Sequence, residues 1–236
     1  SLFKEITMIK KIRIVTDENI PALDELLGDI ADISYLPGRT MQPQDIQHAD
    51  ALLVRSVTKV NEQLLHNSTV KFVGTCTIGT DHIDNDYLAS KDIGFASAPG
   101  CNAAAVVDYV LAAMLFIYPD LTTLKNKKVG IVGCGEVGGR LKARLTQLGI
   151  RHIVCDPFVS AANASLDEIL QRDIITLHVP YTVDVEHATH HLLGSEELAE
   201  IMKGSLLINT SRGAVVDNKA LYAVIQKKSF FTVYVR

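Results

Sequence analysis

Val129-Gly130-Ile131-Val132-Gly133-Cys134-Gly135-Glu136-Val137-Gly138 reads as a β-strand entering a Gly-x-Gly-x-x-Gly turn. A helical run from Gly139 to Leu148 follows, then a second apolar strand, Ile153-Val154-Cys155, ending in Asp156. Strand, glycine turn, helix, strand and acid in that order make the dinucleotide-binding βαβ unit. Gly133 lets the chain turn tightly off the strand, Gly135 leaves room for backbone to approach a pyrophosphate, and Gly138 lets the helix pack close to the sheet. The helix N-terminus offers unpaired N–H groups and a partial positive charge to phosphates. Asp156 stands where a carboxylate accepts from both ribose hydroxyls and repels a 2′-phosphate, so NAD is expected rather than NADP. Many glycine turns bind nothing; here the flanking strand, helix and acid all agree.

Composition sets the limits. The 236 residues suffice for one large or two modest domains, and 47% hydrophobic with 21% charged is ordinary for a globular protein. A net charge of -4 gives no general attraction to nucleic acid or to an anionic membrane. The longest apolar candidate, Ala103 to Tyr118, is interrupted by Asp108 and reads as a buried helix rather than a span. No secretory signal is visible, and Ser1 to Thr7 reads as a remnant before a start at Met8. The four cysteines, Cys76, Cys101, Cys134 and Cys155, have no metal-ligand spacing and read as the reduced thiols of a cytoplasmic protein.

Two α/β halves follow from the pattern: strands near Ile12, Ile33, Ala51, Phe72 and Gly94 alternate with short helices, up to Pro99-Gly100. Alternation implies parallel sheets covered on both faces. Asn102 is placed to cap the long apolar helix that bridges the halves. The second half adds the glycine turn, a capping box at Ser165-Leu166-Asp167-Glu168, and a strand Ile174 to Leu177 ending at His178. A helix from Glu196 to Met202 with Gly204 as its cap and a strand Leu206 to Asn209 come next; Asp217 caps a last helix. The expected architecture is two Rossmann- or flavodoxin-like α/β domains, a substrate-binding domain over 1–101 and a nucleotide-binding domain over 102–236.

Arg212 follows a buried strand at the carboxyl edge of the nucleotide sheet, where ligands of open α/β sheets sit. Its planar fork suits a carboxylate or a developing oxyanion, against the alternative of a surface ion pair. Arg55-Ser56-Val57-Thr58-Lys59 ends a strand of the first half, and its cations and hydroxyls suit a phosphate, against a plain polar loop. Gly74 to Asp84 is a small-residue loop able to present backbone N–H groups to an anion. His82 there reads as held by Asp81 or Asp84 rather than as a base. His178 reads as shaping a pocket rather than moving protons. His187, His190 and His191 have no acid or cysteine at ligand spacing, so no metal is expected.

Together these pieces resemble the D-2-hydroxyacid dehydrogenase family, from about Ile12 to about Val224. The marks are the glycine turn, Asp156, His178-x-Pro180, and Asn209-Thr210-Ser211-Arg212-Gly213-Ala214-Val215-Val216-Asp217. Narrower marks are Asp17-Glu18-Asn19, Val54 to Glu62, Gly74-Thr75-x-Thr77-x-Gly79-Thr80-Asp81-His82, and Ala98-Pro99-Gly100-Cys101-Asn102. These resemble the branch of the family that oxidises 4-phospho-D-erythronate at C2 in vitamin B6 synthesis, with hydride passing to NAD. The resemblance implies that Arg212 binds the substrate carboxylate and polarises the C2 oxygen, and that Ser56 and Thr77 face the substrate; Arg55 and Lys59 join them from their charge alone. The cofactor side is Gly133, Gly135, Glu136, Val137, Gly138, Asp156, His178, Val179, Pro180, Thr210, Ser211 and Arg212. Val179 stands where relatives often carry a hydroxyl.

The ending departs from the resemblance. Lys227 to Arg236 matches the family in nothing beyond a possible strand, and reads like out-of-frame sequence. The family's Glu and acid/base His, and its C-terminal dimerisation segment, would fall past Arg236. The expectations are an incomplete nucleotide sheet with an open edge, impaired proton transfer, and a family homodimer placed in doubt. Two other functions remain open at this point: a non-catalytic NAD-sensing module, and a dehydrogenase of another phosphorylated acid such as 3-phosphoglycerate.

Overall fold

A computed structural model describes residues 10–77, 79–227 and 231–234. The segment before Met8, and residues 228–230 and 235–236 of the tail, lie outside the described residues. The chain divides into two compact units, Ser1–Cys101 and Asn102–Arg236.

In the first unit, short apolar strands alternate with helices of one or two turns. They are β1 (Ile12–Asp17), α1 (Leu23–Leu27), β2 (Ala31–Leu36), α2 (Pro43–Ile46), β3 (Ala51–Val54), α3 (Glu62–Leu65), β4 (Phe72–Thr75), α4 (Asn85–Ser90) and β5 (Gly94–Ser97). The strands are parallel in the order β2-β1-β3-β4-β5. Successive side chains of β3 serve opposite faces. Leu52 and Val54 join Val15 in one core, and Ala51 and Leu53 join Ile14 in another. Covering both faces is what removes a parallel sheet from water.

The second unit opens with α5 (Ala103–Ile117) and α6 (Leu121–Lys125). Then come β6 (Lys128–Val132), α7 (Glu136–Leu148), β7 (Arg151–Cys155), α8 (Leu166–Leu170), β8 (Ile174–Leu177), α9 (Ser195–Glu200) and β9 (Leu206–Asn209). A 3₁₀ turn (Gly213–Val215), α10 (Asn218–Lys227) and β10 (Phe231–Tyr234) complete it. The sheet is parallel in the order β7-β6-β8-β9-β10. Every residue of β8 and β9 is buried. Ile174, Leu206 and Ile208 pack with Val110 and Met114 of α5 and Leu141 and Leu145 of α7. Ile175, Leu177 and Leu207 pack on the other face with Ile169 of α8 and Leu198 of α9. α7 ends at Gly149 (φ 68°), where Ile150 N–H reaches back to the Leu145 carbonyl at 2.9 Å.

Numbered within its own unit, each sheet has the order 2-1-3-4-5, the doubly wound arrangement. The winding reverses between first and third strands, and the crevice outside their carboxyl ends is where such sheets take ligands. That point lies past β1 and β3 in the first unit, and past β6 and β8 in the second.

Several local expectations are corrected. α7 begins at Glu136 rather than Gly139. Asn102 occupies the cap position of α5, but its side chain makes no capping bond. Gly204 (φ 87°) is not the cap of α9, which ends at Glu200 with Ile201 as its cap; it sits in a turn closed by Ser205 N–H on the Met202 carbonyl at 3.2 Å. The possible strand in the tail forms: Phe231 pairs in register with Leu206, so β9 is an inner strand. The capping box of α8 is present, with Ser165 and Glu168 each accepting from the other's N–H.

Candidate active site

β6 runs into Gly133 at φ 89°, a left-handed conformation, and a Cβ there would collide with the His178 carbonyl. A Cβ on Gly138 would strike the Gly133 carbonyl, so the first turn of α7 rests directly on the glycine turn. Gly135 is different. Its φ of -76° suits other residues, yet nothing lies within 4 Å of where its Cβ would stand. That open space adjoins the N–H groups of Glu136, Val137 and Gly138, which an α-helix leaves without intrahelical partners. An anion fits there on the helix dipole.

Asp156, just past β7, holds this turn. Its Oδ2 accepts from Cys134 N–H at 2.8 Å, and its Oδ1 accepts from Phe158 N–H at 2.9 Å. A carboxylate has about four acceptor sites, so both oxygens retain capacity for ribose hydroxyls.

Past β8 and β9 a second network forms. Thr210 Oγ1 donates to the Leu177 carbonyl at 3.1 Å and lies 2.6 Å from His178 Nδ1. With its proton on Leu177, Thr210 must accept from Nδ1–H. The neutral ring then accepts at Nε2 from the buried Thr176 hydroxyl at 2.9 Å. Burial lowers the His178 pKa to about 3, so the ring stays neutral at physiological pH. Thr176, which completes the network, was not recognised in the sequence, because a threonine inside an apolar strand reads as core.

Val179 carries no hydroxyl, but its N–H donates to Ser211 Oγ at 2.9 Å. Asn209, 2% exposed, folds the following turn: its Nδ2 donates to the Arg212 carbonyl at 3.0 Å, and its Oδ1 accepts from Ser211 N–H at 2.9 Å. Arg212 is half-buried in that turn, beside Gly213, whose Cβ position is open to 4 Å. The glycine turn, Asp156, His178-Val179-Pro180 and Thr210-Ser211-Arg212 thus lie at the carboxyl ends of β6, β7, β8 and β9 in turn.

In the first unit, Arg55, Ser56 and Lys59 follow β3, with Ser56 and Lys59 exposed and Arg55 half-buried. Thr58 is buried and donates to the Gly38 carbonyl at 2.9 Å, so that hydroxyl is structural. Asp17, fully buried at the end of β1, accepts at Oδ1 from Asn19 N–H at 2.8 Å; its Oδ2 has no hydrogen-bond partner among the described residues. Sequence reading used Asp17 only as a family mark. Past β4, Thr75 Oγ1 lies 2.8 Å from Thr77 Oγ1 and 3.0 Å from His82 Nε2. Thr75 is therefore a partner of His82 that the expectation of Asp81 or Asp84 did not include. Asp84 instead caps α4, accepting from Tyr87 N–H at 2.9 Å. His190 and His191 stack with ring centroids 3.9 Å apart, and His190 bonds the Tyr181 hydroxyl at 3.1 Å. Among the described residues no group of three or more His, Cys, Asp or Glu is placed to hold a metal.

Residues 118–235 match the family described as D-isomer specific 2-hydroxyacid dehydrogenase, NAD binding domain, so the match takes in Lys227 to Val235, which the sequence reading had set apart from the family. The chain belongs to the D-isomer specific 2-hydroxyacid dehydrogenases. Among its relatives, the erythronate-4-phosphate dehydrogenase of Chromohalobacter salexigens is 48% identical over 223 residues, 92% of this chain and 58% of that protein. That of Pseudomonas putida is 51% identical over 214 residues, 88% of this chain and 56% of that one. This 2-hydroxyacid dehydrogenase chain therefore spans a little over half the length of the curated relatives it matches. Solved structures share its fold. The NAD+-bound 3-phosphoglycerate dehydrogenase of Entamoeba histolytica superposes with TM-score 0.79 at 23% identity, covering 95% of this chain and 80% of that one. The D-lactate dehydrogenase of Aquifex aeolicus, complexed with NAD and lactic acid, gives 0.74 at 26%, covering 92% and 74%. NAD is the cofactor of the matched domain, and the open space at Gly135 with the Asp156 carboxylate fits it. Among the described residues no helix of this dehydrogenase is long and apolar enough to cross a membrane.

Proposed function

We propose that this chain serves the NAD-dependent oxidation of 4-phospho-D-erythronate at C2, giving 2-oxo-3-hydroxy-4-phosphobutanoate for pyridoxine synthesis, in the cytoplasm. The observation that carries the reading is the succession of glycine turn, Asp156 and Arg212 along one sheet edge. The name shared by the curated relatives narrows the substrate. Bound NAD supplies the acceptor for the C2 hydride. The first turn of α7 holds its pyrophosphate and Asp156 its ribose. Arg212 binds the substrate carboxylate through paired charge-assisted bonds and draws charge from the C2 oxygen. In the first unit, Arg55 and Lys59 take the phosphate, with Ser56 and Thr77 contributing hydrogen bonds. His178 orients the neighbouring backbone and takes no proton: its pKa of about 3 and the Thr176 hydroxyl on its Nε2 leave it no basic site near neutral pH, so the C2 hydroxyl proton passes to solvent water and proton transfer is impaired.

The test is titration of this chain with 4-phospho-D-erythronate and, separately, 3-phospho-D-glycerate, followed by the same pair on Arg212→Ala. The expected result is tighter binding of the four-carbon acid, weakened by Arg212→Ala about tenfold or more, the size of a lost charge-assisted pair. Equal or tighter binding of the three-carbon acid would move the substrate assignment to that compound.

A further inference from the structure

Three hydrogen bonds at the carboxyl end of β4 coexist in only one direction. Thr77 Oγ1 donates to the Gly79 carbonyl at 3.1 Å, lies 2.8 Å from Thr75 Oγ1, and Thr75 Oγ1 lies 3.0 Å from His82 Nε2. A carbonyl only accepts, so the single Thr77 proton is on Gly79. Thr75 must then donate to Thr77, and, its own proton used, must accept from His82. Nε2 of His82 therefore carries a proton. Thr75 and His82 are 3% and 7% exposed, whereas Thr77 is half-buried, so the chain of bonds runs from the interior to a reachable hydroxyl. One Thr77 lone pair receives Thr75. The other is what Thr77 offers a ligand: an acceptor, not a donor.

We propose that His82 is a positioning residue which, through Thr75, fixes Thr77 as an acceptor for a substrate hydroxyl. The first unit thereby selects a phosphorylated acid with a hydroxyl on the carbon next to the phosphate-bearing one. This rests on the substrate reading above. Phosphate and carboxylate oxygens are themselves acceptors and would meet Thr77 lone pair to lone pair. Of the groups on 4-phospho-D-erythronate, only the C2 and C3 hydroxyls donate. C2 is the reacting carbon, and C3 adjoins the C4 phosphate. Val54 pairs with Thr75 across β3 and β4, so Arg55 enters its loop beside Cys76, one residue before Thr77. The two loops are also tied by backbone: Val60 N–H donates to the His82 carbonyl at 2.8 Å, and Asp84 N–H donates to the Val60 carbonyl at 2.9 Å. A phosphate on the Arg55 to Lys59 stretch and a neighbouring hydroxyl on Thr77 suit one ligand.

Two measurements on the 236-residue chain test this. Nitrogen-15 NMR of labelled histidine reports the His82 ring, and Nε2 is expected to be protonated. Titration compares 4-phospho-D-erythronate with 2-hydroxy-4-phosphobutanoate, which lacks only the C3 hydroxyl. The wild-type chain should prefer the former about five- to tenfold, the range of one hydrogen bond to a neutral group. Thr77→Val should abolish the preference, as should His82→Phe. His82→Gln, which keeps a side-chain N–H, should retain it. An unprotonated Nε2, or equal wild-type affinity for the two acids, would overturn the inference alone. Binding of neither acid would overturn the substrate reading and this inference with it.

Discussion

Asp156 has two tasks that single-residue chemistry ties together. It bonds the Cys134 N–H inside the glycine turn, and it is the acid expected to meet the ribose. Asp156→Ala should therefore lower NADH affinity about tenfold or more and reduce the preference for NADH over NADPH, both read by titration. Unchanged selectivity would remove Asp156 from the ribose site. His178 gives a pH-dependent prediction. Its ordinary value of 6.5 falls to about 3 in the folded chain, through burial. Between those values the unfolded chain binds the extra proton, so the stability tied to a neutral ring is full above about 6.5 and is lost as pH falls toward 3. At pH 5 the loss is roughly 1–2 kcal/mol. His178→Gln should flatten the fall in urea-unfolding stability between pH 7 and pH 5, and an unaltered slope would mean that His178 titrates normally. At this scale the glycines, Asp156 and Arg212 were legible because their spacing is local. The Thr176–His178–Thr210 network was not, since Thr210 lies just past the next strand, 32 residues away in sequence from His178.

The element that defines the site is β6–turn–α7, and its glycines separate packing from ligand space. A Cβ at Gly138 would strike the Gly133 carbonyl, so Gly138→Ala should destabilise the fold by about 1–3 kcal/mol, as overpacking does. Gly135→Ala meets open space and should cost no more than about 1 kcal/mol as a weaker helix cap, while NADH affinity falls tenfold or more. Denaturation and titration of both variants check the contrast; a Gly135→Ala chain that binds NADH normally would place the pyrophosphate elsewhere. β8 and β9 were readable to the residue, because each is an apolar run bracketed by polar turn residues. α2 and α6, with 4 and 5 residues, escaped notice because so short a helix shows no periodicity. β10 was legible only as a possibility, since its pairing with β9 is a tertiary fact.

For the whole molecule, the two units have separate cores and separate sheets, and every residue proposed to hold the nucleotide belongs to the second. A ligand that binds the folded state alone stabilises it by about 2.7 kcal/mol at a hundred times its Kd. NADH should accordingly slow amide exchange in β6, β7, β8 and β9 more than in β1 and β3, a contrast that hydrogen exchange measures strand by strand. Equal slowing in both sheets would mean that the units respond as one. The two-sheet plan was legible from alternating strands and helices; the shared 2-1-3-4-5 order needed the pairings. The most direct test of the central claim is titration of the 236-residue chain with NADH and with NADPH. Saturable NADH binding, with NADPH at least about tenfold weaker, is the predicted result, since Asp156 repels a 2′-phosphate. Absence of NADH binding, or equal binding of the two, would contradict the assignment of the glycine turn and Asp156 to NAD.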